Sequence, residues 1–304
     1  MNNKAEELLS QLRDKAPTEA DSVSIRENGK TVYRKVLQGV MITDKPNSAG
    51  FNMVIQKGTK GKCVHIPVVI TRDNLNEVVY NDFEIQDDCE VTIVAGCGIH
   101  NDAHEMVSHN GIHSFKIGKN CKVTYVEKHL GLGINTNKHL NPVTNIDLGE
   151  GSYFEMTTHQ LGGVEFADRN TFAKLRDNST LYINEKILTT DNALAKTKFK
   201  VNLKGKHSSV EVVSRAVAKG HSKQSFFSDI IGENKCFGHV ECDGIISEKA
   251  QIYSTPKIMA KHIDAMLVHE AAIGKISEEQ ILKLMTLGLT QEDAEKKIID
   301  GFLK

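Results

Sequence analysis

The sequence predicts a mainly β chain: a right-handed parallel β-helix, or β-solenoid, with an N-terminal helix and a C-terminal helical tail. Two observations carry this prediction. The middle of the chain repeats with a period near 30 residues, and the repeated unit has the two-residue periodicity of strands. The unit reads F-E-I-Q-D-D-C-E-V-T-I-V from Phe83, F-K-I-G-K-N-C-K-V-T-Y-V from Phe115 and N-I-D-L-G-E-G-S-Y-F-E-M from Asn145. It returns as A-K-L-R-D-N-S-T-L-Y-I from Ala173, F-K-V-N-L-K-G-K-H-S-S-V-E-V-V from Phe199 and, more loosely, D-I-I-G-E-N-K-C-F-G-H-V from Asp229. Each copy is an alternating strand, a tight polar turn and a second alternating strand.

One small residue closes each turn: Cys89, Cys121, Ser152, Ser179, Ser208 and Cys236, separated by 32, 31, 27, 29 and 28 residues. A single unit cannot bury its apolar side, whereas stacked units bury a continuous column. The closing residues then form a ladder where only small side chains fit, so its cysteines act as structural equivalents of serine. Gly118, Gly149, Asn178, Gly205 and Gly232 are expected to supply the positive φ of these reversals.

The flanking elements follow in order. Residues 1–20 read as a polar amphipathic helix stopping near Pro17, with no signal-peptide core. Residues 21–80 hold strand-like runs (32–41 and 64–70) without a clear copy of the motif, and are read as irregular first turns or a cap. The expected division is therefore 1–80 for helix and cap, 81–275 for the solenoid and 276–304 for the tail. In the tail, Ser277-Glu-Glu-Gln280 reads as a capping box and Gly288 as a C-terminal cap. Thr290-Gln-Glu-Asp293 opens a second helix with Ala294, Ile298, Ile299 and Phe302 on its apolar side.

Composition excludes several function classes. Lys plus Arg (38) nearly balances Asp plus Glu (39), so no strong field favours nucleic acid or an anionic membrane. The chain has no Trp and 6% aromatic residues, which argues against a base-stacking surface or a carbohydrate-active β-helix. No apolar run approaches the roughly 20 residues of a membrane span. Cys63, Cys89, Cys97, Cys121, Cys236 and Cys242 form no C-x-x-C pair, which speaks against a zinc ribbon or a thioredoxin-type site. Most should be reduced and buried, in a cytoplasmic protein. Neither a P-loop nor a dinucleotide-binding glycine motif occurs, so the chain is expected not to be an enzyme with its own ATPase.

Two polar features remain. Cys97, His100, His104, His109 and His113 place five potential metal ligands within 17 residues, although His104-Glu105 lacks the H-E-x-x-H spacing of a zinc protease. Exposed loop histidines and weak metal ligands are the two readings of this segment. Glu127-Lys128-His129, Glu155 and Glu185-Lys186 recur at matching places in successive copies. They are read as a solvated surface ladder or, alternatively, as a polar track toward Cys242.

The C-terminal third carries S-R-A-V-A-K-G-H-S from Ser214, C-F-G-H-V-E-C-D-G-I-I from Cys236 and V-H-E-A-A-I-G-K-I from Val268. These segments resemble the SufB/SufD family, the scaffold subunits of the SUF iron–sulfur cluster assembly system; the resemblance spans most of residues 80–303. It implies a scaffold holding a transient cluster (4Fe-4S or 2Fe-2S) and using ATP only through a SufC-like ABC ATPase. It further implies a homodimer in a two-scaffold, two-ATPase complex that delivers to apo iron–sulfur proteins. The implied cluster ligands are Cys242, His269 and Glu270: thiolate is the soft donor iron–sulfur species need, and imidazole and carboxylate make a releasable site. The chain departs from the SufB pattern at Ala250, where those proteins carry a cysteine. Cys242 and Cys236 are the thiols nearby, and Cys242 lies outside the turn ladder. The implied ATPase-docking residues are Ile281, Leu284, Met285, Leu289, Ile298 and Phe302. A SufD-like structural subunit that holds no cluster is the alternative reading.

Overall fold

Every second side chain along the strand Lys122–Leu132 is buried, and the same alternation runs through Tyr153–Gln160 and Leu194–Leu203. Such strands need a partner sheet to cover their apolar face. The computed structural model, which describes residues 3–12, 16–103, 105–134, 137–160 and 162–304, supplies one. Among these residues, twenty strands form two ten-stranded sheets, and the chain alternates between them to make a solenoid of about eight turns.

Successive coils stack in parallel and in register. Tyr153 pairs with Lys122 on one side and Thr180 on the other, and the ladder continues to Ala265–Gly274. Parallel pairing begins before the sequence motif is recognisable: Ser22–Glu27 lies on Lys62–Ile70, and Gly50–Ile55 on Asn76–Ile85. The N-terminal end is closed by two antiparallel pairs, Ser22–Glu27 with Lys30–Lys35 and Val40–Asp44 with Gly50–Ile55. The core is a continuous apolar column in which Phe83 stacks on Phe115 at 4.2 Å and Tyr125 meets Phe115 edge-on at 5.0 Å.

The turn ladder forms as the repeat predicts. The Cys89 and Cys121 thiols reach the carbonyls of Gln56 and Gln86, each at 3.1 Å. The Ser152, Ser179 and Ser208 hydroxyls donate to Gly118, Arg176 and Gly205 at 2.7–2.8 Å. Cys236 is likewise buried in the core. The backbone signature of these reversals differs from expectation. Of the five positions expected at positive φ, only Asn178 has it; elsewhere the left-handed residue directly precedes the ladder residue, as at Asp88, Asn120, Gly151 and His207. Gly149 serves instead to let coils approach, since a Cβ there would lie 2.1 Å from the Gly118 carbonyl oxygen.

Helix α1 (Asn3–Leu12) ends before Pro17 and buries Ala5, Leu8, Leu9 and Leu12 on the outer face of the first sheet, against Val23, Ile25 and Val69. Gly98 makes room for it: a Cβ there would meet the Leu8 side chain at 2.8 Å. At the other end, α2 (Glu278–Thr286) and α3 (Gln291–Phe302) pack on each other. Arg215 ties α3 to the first sheet, with its guanidinium 3.4 Å from the Phe302 carbonyl and over the Phe302 ring. Thr290 caps α3 through the Asp293 amide, and Gly288 takes the predicted left-handed conformation. The expected capping box at Ser277 does not form: its side chain makes no cap bond. No described helix is long and apolar enough to cross a membrane.

Cys121→Ser should change unfolding free energy by less than about 1 kcal/mol, because a hydroxyl satisfies the same carbonyl. Gly149→Ala should cost more than roughly 2 kcal/mol, because backbone must move to admit the methyl. Urea denaturation of the two variants checks this, and equal losses would sink the distinction between ladder and close-approach positions.

Candidate functional site

In-register stacking makes columns of side chains, and one column leads to Cys242. Counting along the first sheet, Ala95 pairs with Glu127, Glu127 with Thr158, Thr158 with Glu185, Glu185 with Ser214, Ser214 with Cys242 and Cys242 with Ala271. The column starts and ends apolar and is polar between. All its polar members are buried. The expected surface ladder is thereby corrected: Glu127, His129 and Glu185 point inward. The charge pattern had the right period, but odd and even positions along a strand face opposite sides, and these residues share the face of Val123 and Tyr125.

Buried charge needs compensation. Arg169, on the strand Phe166–Leu175 of the opposite sheet, supplies it. Its Nη1 lies 2.7 Å from Glu127, its Nη2 donates to His129 Nδ1 at 3.1 Å, and its Nε is 3.8 Å from Glu185. Thr197 and Ser214 each donate to Glu185 at 3.0 Å, and the Tyr125 hydroxyl donates to Glu127 at 3.0 Å. Burial opposes the Glu127 charge, but His129 and Arg169 outweigh it and hold the carboxyl well below the usual range. Burial prevails at Glu185 and raises its pKa despite Arg169. His113, stacked on Phe83, is pushed down by burial to about 4 and is neutral near pH 7, and burial lowers His129 in the same sense against the opposing pull of Glu127.

The histidine-rich segment divides. It is not a helix but two strands, Glu90–His100 and Val107–Ile117. Cys97, His109 and His113 face the interior beside Glu127 and His129, around a cavity of about 20 Å³, room for one water. His109 is committed to Glu77 at 2.8 Å, and Glu77 to Arg26. Burial, with Glu77 and Glu127 nearby, pushes the Cys97 thiol far up. His100 faces outward near Asp102, and His104 lies outside the described residues. Cys97, His109 and His113 therefore share a chamber without converging on one point.

At the C-terminal end, Cys242 sits inside the coil on Cys236–Ile246. Burial pushes its thiol up to about 11, the Ser254 hydroxyl opposing and the Glu185 and Asp243 charges adding. His269, on the final strand Ala265–Gly274, pairs with Val240 and faces the same interior, two positions along from Cys242. Its Nε2 is buried with no hydrogen-bond partner among the described residues, and burial lowers its pKa, favouring the neutral imidazole. Glu270, being the next residue, points to the outer face, where Oε1 lies 2.7 Å from His239 Nε2. The structure thus brings Cys242 and His269 to one face and leaves Glu270 on the other. Ala250 stands at a second corner ladder with Ala193 and Ser222, each donating its amide to the carbonyl three residues back. The sequence reading missed Arg169, Thr197 and Ser214, because a residue facing the column from the opposite sheet carries no mark of its partner.

The docking residues also divide. Ile281, Leu284, Leu289, Ile298 and Phe302 are half-buried within the helical pair, while Met285 is exposed. Leu282 and Leu287, at 60% and 76% exposure, extend the outward apolar face of α2 and the turn after it.

A family model described as SUF system FeS cluster assembly, SufBD core domain, matches residues 71–302. Three relatives carry the name iron–sulfur cluster assembly SufBD family protein. That of Archaeoglobus fulgidus is 31% identical over 228 residues, covering 74% of this chain and 60% of the relative. That of Methanocaldococcus jannaschii is 25% identical over 274 residues, covering 88% and 85%. One from Methanothermobacter thermautotrophicus is 27% identical over 234 residues, covering 76% and 56%. The chain thus spans little more than half the length of two of the three.

The buried imidazoles predict a pH signature. With a folded pKa near 4 against 6.5 unfolded, His113 stays neutral while the unfolded chain takes up its proton. Stability should therefore fall as pH drops from 6.5 to 4, by roughly 3 kcal/mol from this residue. Urea unfolding across that window, repeated on His113→Gln, should show a shallower slope in the variant.

Proposed function

Since the chain belongs to the SufBD core-domain family of iron–sulfur cluster assembly, we propose that it is a scaffold on which a transient cluster is built. The observation that carries this reading is the end of the polar column: the Cys242 thiol and the unpartnered His269 imidazole share the interior of the last coils. Thiolate plus one neutral imidazole is a donor set that holds iron loosely enough to release it. Glu270 completes the proposed ligand set only by a rearrangement of the edge strand, because it now faces away. The column of Glu127, Thr158, Glu185 and Ser214 offers iron or sulfide a polar route to Cys242 through an otherwise apolar core. The cargo is a 4Fe-4S or 2Fe-2S cluster passed on to apo iron–sulfur proteins. The six free cysteines suit a reducing, cytoplasmic setting.

A thiol with a pKa near 11 is protonated and closed off, so the reading needs an opening step. Energy for it would come from a separate SufC-like ABC ATPase docked on the helical tail, where Leu282, Met285 and Leu287 leave an apolar face exposed. The last strand of each sheet, Gln251–Ala260 and Ala265–Gly274, has no neighbour on its outer edge among the described residues. Tyr253, Ile258, Met266 and Val268 are exposed there, a surface suited to a second copy extending both sheets. A complex of two scaffolds and two ATPases places two Cys242 sites near one interface.

The SufD-like alternative, a structural subunit without a cluster, is favoured by two points: Cys242 is 1% exposed, and Ala250 stands where the resemblance to SufB implies a cysteine. Iron and acid-labile sulfide in anaerobically reconstituted protein, alone and with its ATPase, separate the two. The scaffold reading expects loading that drops at least about tenfold in Cys242→Ala and substantially in His269→Ala; unchanged loading removes the site assignment.

Light scattering during size-exclusion chromatography reads both partners in one experiment. Met266→Lys should yield monomers, and Leu282→Asp with Met285→Asp should release the ATPase while leaving the scaffold's circular dichroism intact. Retained assembly in both variants would place the interfaces elsewhere.

A further inference from the structure

A second thiol stands apart from the column, near the opposite end of the solenoid. On the strand Lys62–Ile70, Val64 and Ile66 enter the core, so Cys63 and His65 lie together on the outer face. The neighbouring strand pairs Ser22 with Val64 and Val23 with His65, which brings Asp21 beside Cys63. Cys63 Sγ is 3.3 Å from His65 Nε2, and Asp21 Oδ2 is 3.6 Å from that same nitrogen. All three donor atoms lie within 4.8 Å of one another, the one group of three His, Cys, Asp or Glu among the described residues to converge so. The carboxylate is held in place: Asp21 Oδ2 accepts from the Thr18 amide at 2.7 Å and the Thr18 hydroxyl at 2.9 Å.

The geometry separates two chemistries. In a Cys–His–Asp relay the acid would hold the ring nitrogen opposite the thiol; here thiol and carboxylate both address Nε2. Burial and the Asp21 charge push the Cys63 thiol up to about 11, the reverse of an activated nucleophile. Three unlike donors meeting at one point are what a cation organises. Tetrahedral zinc bond lengths set S···N near about 3.6 Å and N···O near about 3.3 Å, within a few tenths of the separations present. No Lys or Arg bridges to Asp21 among the described residues. A thiol in the set selects borderline or soft metals over Mg²⁺ or Ca²⁺. Cys63 and Asp21 are only partly buried, so one side of the group is open.

We propose that Asp21, Cys63 and His65 form a mononuclear site for Zn²⁺ or Fe²⁺, with three protein ligands and a fourth position open to water or an incoming ligand. The ion ties residues 18–21 to the first sheet, where α1 also packs. The site is independent of the cluster reading: Cys63 lies on the third strand of the first sheet and Cys242 on the ninth.

Titrating tag-free, metal-stripped full-length protein with Co²⁺ under anaerobic conditions tests it. One equivalent should bind with a thiolate-to-cobalt charge-transfer band and tetrahedral ligand-field bands, and Zn²⁺ should displace it. Cys63→Ser should lose the charge-transfer band, and the isosteric Asp21→Asn should bind Co²⁺ at least about tenfold more weakly. Cys242→Ser should leave both signals unchanged. A hundredfold excess of Zn²⁺ over Kd should raise the wild-type Tm by about 4 °C, and that of either site variant far less. Absence of a thiolate band in the wild type overturns the proposal, as does its persistence in Cys63→Ser or its loss in Cys242→Ser.

Discussion

Parallel, in-register stacking of coils is the constraint on which this structure depends. Each strand hydrogen-bonds to its counterparts one coil before and after, so every side chain lies on the residue at the same place in the neighbouring coil. Like stacks on like: aromatic rings, small corner residues and apolar side chains each form a file. A single residue therefore cannot change its environment alone. The corners hold only small side chains because each packs against turn carbonyls, those of the coil before at Cys89, Cys121 and Ser152 and those of its own turn at Ser179 and Ser208.

The same constraint explains how charge comes to be buried. A carboxylate at an inward position has coil neighbours above and below, so solvent reaches it from neither side. Glu127 and Glu185 are tolerated because Arg169 crosses from the opposite sheet and lies between them, and because hydroxyls of Tyr125, Thr197 and Ser214 satisfy the remaining lone pairs. Removing one member of such a set leaves the others uncompensated in a low-dielectric interior, which costs several kcal/mol. This polar belt divides the apolar column and gives the interior a chemical direction, from the Cys97 chamber toward Cys242. The two ends of the solenoid also differ. Antiparallel strand pairs close one, and at the other the final strand of each sheet has an unpaired edge among the described residues, with the thiol and imidazole of the last coils beside it.

The repeat made the solenoid legible. Its period, its alternating strands and its small corner residues are properties of single positions, and the structure returned them where the motif is strong. Legibility failed where a property belongs to a pair of positions far apart in sequence. The strands in residues 21–80 join the stack without the motif, Lys30–Lys35 and Val40–Asp44 as antiparallel closing strands and the others in parallel, because their register is imposed by the neighbours they pair with. Gly149 was read as a conformational requirement, whereas its role is contact with Gly118 one coil away. Adjacent residues posed the same problem: His269 and Glu270 look like one motif in sequence, yet strand geometry sends them to opposite faces.

What the sequence determined alone was the solenoid architecture, the family, the two C-terminal helices and the corner positions of the ladder cysteines, because periodicity and local propensity encode them. What only the tertiary structure decided was which charges are inside, which cation neutralises them, and which thiols have ligands beside them. Arg169 meets Glu127 across 42 positions, and Asp21 meets His65 across 44. The physical reason is that a strand's facing and its neighbours follow from the coil it joins, and that information is stored in the stack.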